Sequence, residues 1–133
     1  MNKRGRKPKF IGIDREINSL YVKKGLSKLC GFDMFQQWYL INHKNCHYCG
    51  LSKEETIILF NKYPESTRGG RRGKKLELDK KIPKLEYWES LENLCFSCYW
   101  CNNAKTNYFT EDEFKSIGKL IGDLNRKRIY NKN

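Results

Sequence analysis

The stretch CYWCNNAK, residues 98–105, decides the fold. Its cysteines are separated by two residues, and upstream Cys46 and Cys49 repeat that spacing and are followed by Gly50. Two such pairs are typical of four thiolates around one zinc ion, at about 2.3 Å per bond. Gly50 permits the tight turn that directs two thiolates to one metal. Because four thiolates leave no position for water, the predicted zinc is structural.

A fifth cysteine makes the second pair of zinc ligands ambiguous. Cys95 and Cys98 have the same spacing as Cys98 and Cys101. We prefer Cys98 and Cys101, since Cys95 is expected on a strand and Cys101 opens a helix. Cys95 and Cys30 are then interpreted as buried free thiols that behave as small hydrophobic side chains.

The residues before the second cysteine pair predict a hairpin. Residues 76–79, LELD, alternate like a strand, Pro83 follows in a turn region, and residues 94–96, LCF, predict the partner strand. Asp79 then ends one strand and Asn102 starts the following helix. Their oxygen atoms can converge on a hard cation such as Mg²⁺ and leave positions for water and phosphate.

Helical segments surround this unit. Helices are predicted around 14–24 and at 33–42, the second with Asp33 as its N-cap. Capping-box pairs open two more, at residues 52 and 55 and at residues 110 and 113; the first of these helices ends near Tyr63 and Pro64. The apolar face of the last helix is expected to contain Phe114, Ile117, Leu120, Ile121 and Leu124. The expected fold class is α+β: a small, mainly helical domain around the hairpin and helix, with a four-cysteine zinc site.

Charge narrows the choice of partner. The 133 residues fit one domain, and 27 lysines and arginines against 15 acidic residues give a formal net charge of +12. This charge favours a polyanion, since each neutralised phosphate releases condensed counterions. No apolar run approaches the roughly 20 residues of a spanning helix, and the basic N-terminus lacks the apolar segment of a secretory signal. We expect an intracellular protein that binds nucleic acid and no membrane.

Three motifs resemble the HNH endonuclease family, also called ββα-metal or His-Me finger nucleases. Residues 76–83, LELDKKIP, are similar to the family pattern D-H-I-x-P, residues 92–94 to E-N-L, and residues 98–105 to C-x-x-C-N-x-x-K, over about 46–118 of the chain. The resemblance is strongest to small zinc-bearing restriction enzymes, and small homing endonucleases share the module. It implies hydrolysis of double-stranded DNA with one divalent ion, Mg²⁺ or Mn²⁺, held by Asp79 and Asn102. It also implies that Asn93 braces the hairpin loop through backbone hydrogen bonds.

The sequence departs from the family at the general base. The family histidine that takes a proton from water aligns with Lys80, and an ordinary lysine is protonated at pH 7. We favour Tyr87 as the residue that activates water, as the resemblance to relatives without this histidine implies, with Lys80 or a nearby cation lowering its pKa. Lys80 itself as the base, through a lowered pKa, is the second interpretation. His43 and His47 lie beside the first cysteine pair and are interpreted as structural or phosphate-facing, although His43 could reach the site.

Basic segments predict the DNA contacts. Residues 3–8, KRGRKP, resemble an AT-hook, which lies in the minor groove of A·T tracts, and a solvated basic tail is the other interpretation. The basic loop at 66–75 precedes the predicted metal-binding strand and is expected to contact phosphates. The predicted DNA-binding residues are Arg4, Arg6, Arg68, Arg71, Arg72, Lys74 and Lys105.

These observations predict four parts of the chain: a flexible basic DNA-contacting arm at 1–9, an N-terminal helical region at 10–45, a zinc-stapled HNH nuclease domain at 46–125 and a basic tail at 126–133. The predicted function is a site-specific DNA endonuclease of restriction or homing type. A homodimer is expected, because one metal site cuts one strand and palindromic targets mirror two-fold symmetry. The alternative is a catalytically inactive, zinc-stabilised DNA-binding module.

Overall fold

A two-stranded antiparallel sheet lies at the centre of the fold. The computed structural model describes residues 10–67, 72–83 and 90–131. Within these ranges β1 (Glu77–Lys80) pairs with β2 (Leu94–Ser97), which confirms the predicted hairpin. Asp79 lies opposite Cys95, and Leu78 lies opposite Phe96. Because successive side chains of a strand leave on opposite faces, Asp79 and Cys95 share one face and Leu78 and Phe96 share the other.

Five α-helices surround the sheet in the described part of the chain. They are α1 (Ile13–Lys23), α2 (Phe32–Asn42), α3 (Lys53–Lys62), α4 (Tyr99–Lys105) and α5 (Glu111–Tyr130). Short 3₁₀ turns lie at Leu26–Lys28, Pro64–Ser66 and Leu91–Asn93. The fold is therefore the predicted α+β arrangement, mainly helical around a hairpin and its following helix. Among the described residues, no helix is both long enough and apolar enough to cross a membrane.

Both capping boxes form as predicted. The Ser52 hydroxyl accepts a hydrogen bond from the Glu55 backbone N–H, and the Glu55 carboxylate accepts one from the Ser52 N–H. Thr110 and Glu113 repeat this exchange at the start of α5. Each box satisfies two N–H groups that have no partner inside the helix, which fixes where α3 and α5 begin.

The predicted cap of α2 is wrong. Gly31 is the N-cap, and Asp33 lies in the first turn of the helix. The helix begins earlier because the ring of Phe32 packs against Phe10 and Tyr21, at centroid distances of 4.8 and 5.6 Å. In the first turn, the carboxylate of Asp33 still favours the positive end of the helix dipole.

Helix α2 covers one face of the sheet. The ring of Phe96 contacts Trp38, Tyr39 and His43, with centroids 5.3, 5.2 and 4.6 Å apart. Phe35 continues this cluster toward α1, where Ile17 is fully buried. The regions 10–45 and 46–125 therefore share one hydrophobic core.

Helix α5 packs through small residues, unlike the predicted apolar face. Phe114, Gly118 and Gly122 are buried, whereas the predicted core residues Ile117, Leu120 and Leu124 are 40%, 58% and 51% exposed. The two glycines allow close approach: a Cβ at Gly122 would lie 2.7 Å from the backbone oxygen of Cys49, and one at Gly118 would lie 3.0 Å from that of Tyr48. The buried face therefore follows a four-residue spacing that an apolar pattern does not reveal.

Helix α5 also continues to Tyr130, through the start of the predicted basic tail. Contacts to other elements order these residues. Arg126 donates a hydrogen bond to the backbone oxygen of Cys49 at 2.7 Å, and Tyr130 donates one to the Glu55 carboxylate at 2.6 Å.

Candidate metal centre and active site

The four predicted zinc ligands form one cluster. The Sγ atoms of Cys46, Cys49, Cys98 and Cys101 all lie within 4.8 Å of one another, and all four residues are buried. The Cys49 and Cys98 Sγ atoms are 3.7 Å apart. A tetrahedron with Zn–S bonds of about 2.3 Å has edges of about 3.8 Å, so the donor set fits a zinc ion. The cluster is a structural metal site.

Local backbone geometry positions these thiols. Gly50 has φ 76°, the left-handed conformation that closes the turn after Cys49, and its N–H donates to the backbone oxygen of Cys46. Cys98 caps α4 and accepts the N–H of Cys101 at 3.4 Å. Hydrogen bonding by Cys101 and the other two thiols lowers the pKa of Cys46.

Cys95 lies outside the cluster, which contains the preferred pair Cys98 and Cys101. Its Sγ atom is 3.6 Å from the hydroxyl of Tyr48, and burial raises the pKa of Cys95 to about 12. Cys95 is a buried free thiol, and Cys30 is a half-buried one.

The carboxylate of Asp79 is held by one hydrogen bond and one ion pair. Tyr48 donates its hydroxyl to Oδ2 at 2.6 Å, and the ammonium nitrogen Nζ of Lys105 lies 3.2 Å from the same oxygen. Nζ also donates to the backbone oxygen of Lys80 at 2.9 Å. Lys105 is fully buried and Asp79 nearly so. The structure therefore turns Lys105 toward Asp79, whereas the sequence predicts a contact with a DNA phosphate. A fully buried ammonium group cannot reach a phosphate in this conformation.

Asn102 lies on the same face of the sheet but bonds to a different residue. Its Nδ2 donates to the carboxylate of Glu77 at 2.9 Å, and this bond leaves the amide oxygen for a cation. Glu77 also receives two hydrogen bonds from Arg72, at 2.7 and 2.9 Å. Burial alone would raise the pKa of Glu77, but the bonds from Arg72 and Asn102 lower it below its ordinary value. Asp79, Glu77 and Asn102 carry oxygen atoms of the kind that Mg²⁺ prefers as ligands.

Asn93 holds the hairpin loop together. Its side-chain oxygen accepts the N–H of Ile82 at 3.0 Å, and its Nδ2 donates to the Ile82 oxygen at 3.3 Å. The backbone oxygen of Asn93 accepts the N–H of Lys81 at 2.7 Å. Three bonds thus fix the chain just beyond the strand that carries Asp79.

The candidates for the general base occupy different places. Tyr87 lies outside the described residues. Lys80 follows Asp79 on β1, so alternation directs its side chain toward the opposite face. His43 stacks on Tyr39 on the Phe96 face, where burial lowers its pKa. His47 forms a partly exposed pair with Glu111 at 2.6 Å.

The predicted DNA contacts are described only in part. Arg4, Arg6, Arg68 and Arg71 lie outside the described residues. Arg72 is half-exposed, pairs with Glu77 and lies 4.9 Å from the ring centroid of Tyr99. Lys74 is exposed, with its ammonium 5.2 Å from the ring centroid of Phe60.

Sequence reasoning missed two residues of this site. Glu77 is not among the predicted site residues, although it precedes Asp79 by two positions, the spacing that puts both side chains on one face of a strand. Tyr48 belongs in the sequence only to the segment between the first two cysteines. No local pattern indicates its bond to Asp79, because the two residues are 31 positions apart.

Comparison with known proteins finds a solved structure with a similar fold. No protein-family model and no curated protein matches the sequence. The chain is similar to the solved structure of the rare-cutting HNH restriction endonuclease PacI, with a TM-score of 0.61. The sequences are 22% identical, and the similarity covers 96% of this chain and 98% of PacI. This likeness concerns the fold, which the sequence motifs had led us to expect.

Proposed function

We propose that the protein is a site-specific endonuclease that hydrolyses phosphodiester bonds of double-stranded DNA with one divalent metal ion. One observation carries the proposal: in a fold shared with an HNH restriction endonuclease, Asp79, Glu77 and Asn102 line a single face between β1 and α4. The net charge of +12 supports a DNA partner. We keep the expectation of a reducing, intracellular setting, in which cysteines at this spacing usually bind metal.

The proposed roles follow from the contacts. Asp79 and Asn102 hold Mg²⁺ or Mn²⁺, which when bound would stabilise charge on the reacting phosphoryl group and on the leaving 3′ oxygen. Asn93 keeps the hairpin loop in place. Tyr87 takes the proton from the attacking water, and Lys80 is the second candidate for that role. Arg72 and Lys74 contact the phosphate backbone together with the basic residues of the N-terminal arm and of the 66–75 loop.

A cleavage assay tests the proposal. Zinc-loaded protein is incubated with random-sequence duplex DNA and Mg²⁺ or Mn²⁺, and the new ends are sequenced. We expect ends at one sequence, lost in Asp79→Ala and in Asn102→Ala. Normal cleavage by both variants would contradict the metal assignment.

A second pair of variants distinguishes the two candidates for the general base. Tyr87→Phe is expected to abolish cleavage while DNA binding persists. Normal cleavage by Tyr87→Phe together with loss in Lys80→Met would assign the base to Lys80 instead.

A DNA-binding module without catalysis is the second candidate. It is favoured by Lys80 at the position of the family histidine and by the ion pair between Lys105 and Asp79. It predicts tight, salt-sensitive binding and intact DNA with every divalent metal.

The proposed active form is a homodimer, because one metal site cuts one strand. Sedimentation of the protein with a cleaved duplex is expected to show two chains per site. One chain per site would exclude this arrangement.

A further inference from the structure

A hydrogen bond and an ion pair meet at the same carboxylate oxygen of Asp79. Oδ2 accepts the Tyr48 hydroxyl at 2.6 Å and lies 3.2 Å from Nζ of Lys105. A carboxylate has two oxygens with about four acceptor positions between them. Because the hydrogen bond from Tyr48 and the ion pair with Lys105 both use Oδ2, the other oxygen, Oδ1, is the one offered to a further partner.

Lys105 is itself fixed in place. Its ammonium donates to the backbone oxygen of Lys80 at 2.9 Å and lies 5.5 Å from the ring centroid of Tyr48. The side chain has no exposed area. The position of the Lys105 ammonium relative to Oδ2 of Asp79 is therefore fixed.

Tyr48 is held even more firmly. It lies between the zinc ligands Cys46 and Cys49, so the metal site restrains its backbone. Its ring packs edge-on against Phe114 of α5, with ring centroids 5.4 Å apart. Helix α5 also lies close to the backbone oxygen of Tyr48 at Gly118. The hydroxyl position is thus set by the zinc site and by α5 together.

We propose that Tyr48 and Lys105 are positioning residues that hold Oδ2 of Asp79 and so present Oδ1 to the divalent cation. The inference rests on the proposed function, because it assigns the cation to Asp79. Groups that bond to a metal ligand orient it, and their loss typically weakens metal binding or activity by about 10-fold to 100-fold. Neither residue contacts the cation in this arrangement.

Metal binding without DNA tests the inference directly. Zinc-loaded full-length protein is titrated with Mn²⁺, and free Mn²⁺ is measured by electron paramagnetic resonance. We expect the wild type to bind one Mn²⁺ that Asp79→Asn loses. Tyr48→Phe is expected to raise the Kd for Mn²⁺ by about 10-fold to 100-fold.

Tyr130→Phe is the matched control. Tyr130 lies at the C-terminal end of α5, far from Tyr48 in sequence. Its hydroxyl also donates to a carboxylate at 2.6 Å, that of Glu55. The substitution removes the same group and the same kind of bond. We expect an unchanged Kd for Mn²⁺.

A second variant guards against a folding defect in Tyr48→Phe. Lys105→Arg keeps the positive charge but moves the donors, so it too is expected to weaken Mn²⁺ binding. Zinc content and far-ultraviolet circular dichroism identify the folded variants. An unchanged Kd in the folded variants, with only a lower unfolding midpoint, would mean that the two residues are merely structural and would overturn the inference.

Other outcomes separate this inference from the proposed function. If Asp79→Asn leaves Mn²⁺ binding intact, both the metal assignment and the inference are overturned. If Mn²⁺ binding depends on Asp79 and Tyr48 but no duplex is ever cut, the positioning role stands and the nuclease proposal fails.

Discussion

Lys105 and Asp79 form an ion pair inside the protein, with 3.2 Å between Nζ and Oδ2 and side-chain exposures of 0% and 9%. The pair joins α4 to β1, the two elements that carry the candidate metal ligands. Taking two charges out of water is costly, and their attraction offsets this cost only when hydrogen bonds complete the arrangement. Tyr48 and the Lys80 carbonyl provide those bonds.

Removing one partner of this pair is expected to be severe. Lys105→Met leaves a buried carboxylate without its cation and should lower the free energy of unfolding by about 3–5 kcal/mol. The double variant with Asp79→Asn should recover much of the loss, because the uncompensated charge is gone. Urea denaturation of the zinc-loaded proteins measures both. As the control, Lys119→Met removes a lysine from the exposed pair with Asp123 and should cost less than about 1 kcal/mol.

The close approach of α5 to the zinc turn gives a second prediction. In Gly122→Ala the new Cβ would lie 2.7 Å from the Cys49 backbone oxygen and 2.9 Å from its Cβ. Overpacking against backbone should cost about 1–3 kcal/mol, despite the roughly 1 kcal/mol by which alanine favours a helix over glycine. Ser116→Ala, exposed on the same helix, should be nearly neutral. A thermal unfolding midpoint of Gly122→Ala above that of the wild type would contradict the packing.

Stability at acid pH should depend on Glu77. Its folded-state pKa lies below the ordinary value of 4.5 because of the bonds from Arg72 and Asn102. A depressed pKa contributes stability that is complete above the unfolded value and is lost as the pH falls through the folded value. The melting temperature of the wild type should therefore exceed that of Glu77→Gln most at pH 7. The difference in melting temperature should shrink below pH 4.5. Melting curves of both proteins from pH 7 to pH 3 measure it.

Glu65→Gln is the control for this pH dependence. Glu65 is an exposed carboxylate in a 3₁₀ turn. The variant should follow the wild-type melting curve across the range. A constant difference between wild type and Glu77→Gln at all pH values would show that the carboxylate charge is not the cause.

Zinc content distinguishes the cysteines. Cys46→Ser should lose the bound zinc and the cooperative unfolding transition, because metal binding and folding are coupled in such sites. Cys95→Ser should keep one zinc per chain, since its thiol lies outside the cluster. Metal analysis by mass spectrometry measures both. Loss of zinc in Cys95→Ser but not in Cys101→Ser would contradict the ligand set.

Local signals predicted the elements and the zinc ligands. The hairpin, the capping boxes at Ser52 and Thr110 and the cysteine spacing all depend on residues close together in sequence, so they could be recognised without coordinates. The family motifs added the expectation of a metal between Asp79 and Asn102. These features depend on short-range geometry, which sequence periodicity expresses well.

Contacts between distant segments could not be predicted in the same way. The buried position of Lys105 depends on how α4 packs against β1, and a lysine in a basic chain gives no sign of burial. The exposure of Ile117, Leu120 and Leu124 depends on two glycines that move the buried stripe of α5 around the helix. Tyr48 reaches Asp79 only after the cysteine pairs have been brought together.

The position of Tyr48 between two zinc ligands has a consequence for how samples of the protein behave. A molecule that lacks zinc loses the restraint on the hydroxyl that supports Asp79, even where its helices persist. A preparation with half of its zinc sites filled is then expected to be a mixture of molecules that are competent in the proposed cleavage and molecules that are not. It should not behave as one population in which every molecule cleaves slowly. For the proposed DNA cleavage, specific activity should rise in proportion to zinc occupancy, while the Mn²⁺ dependence of the active fraction stays constant.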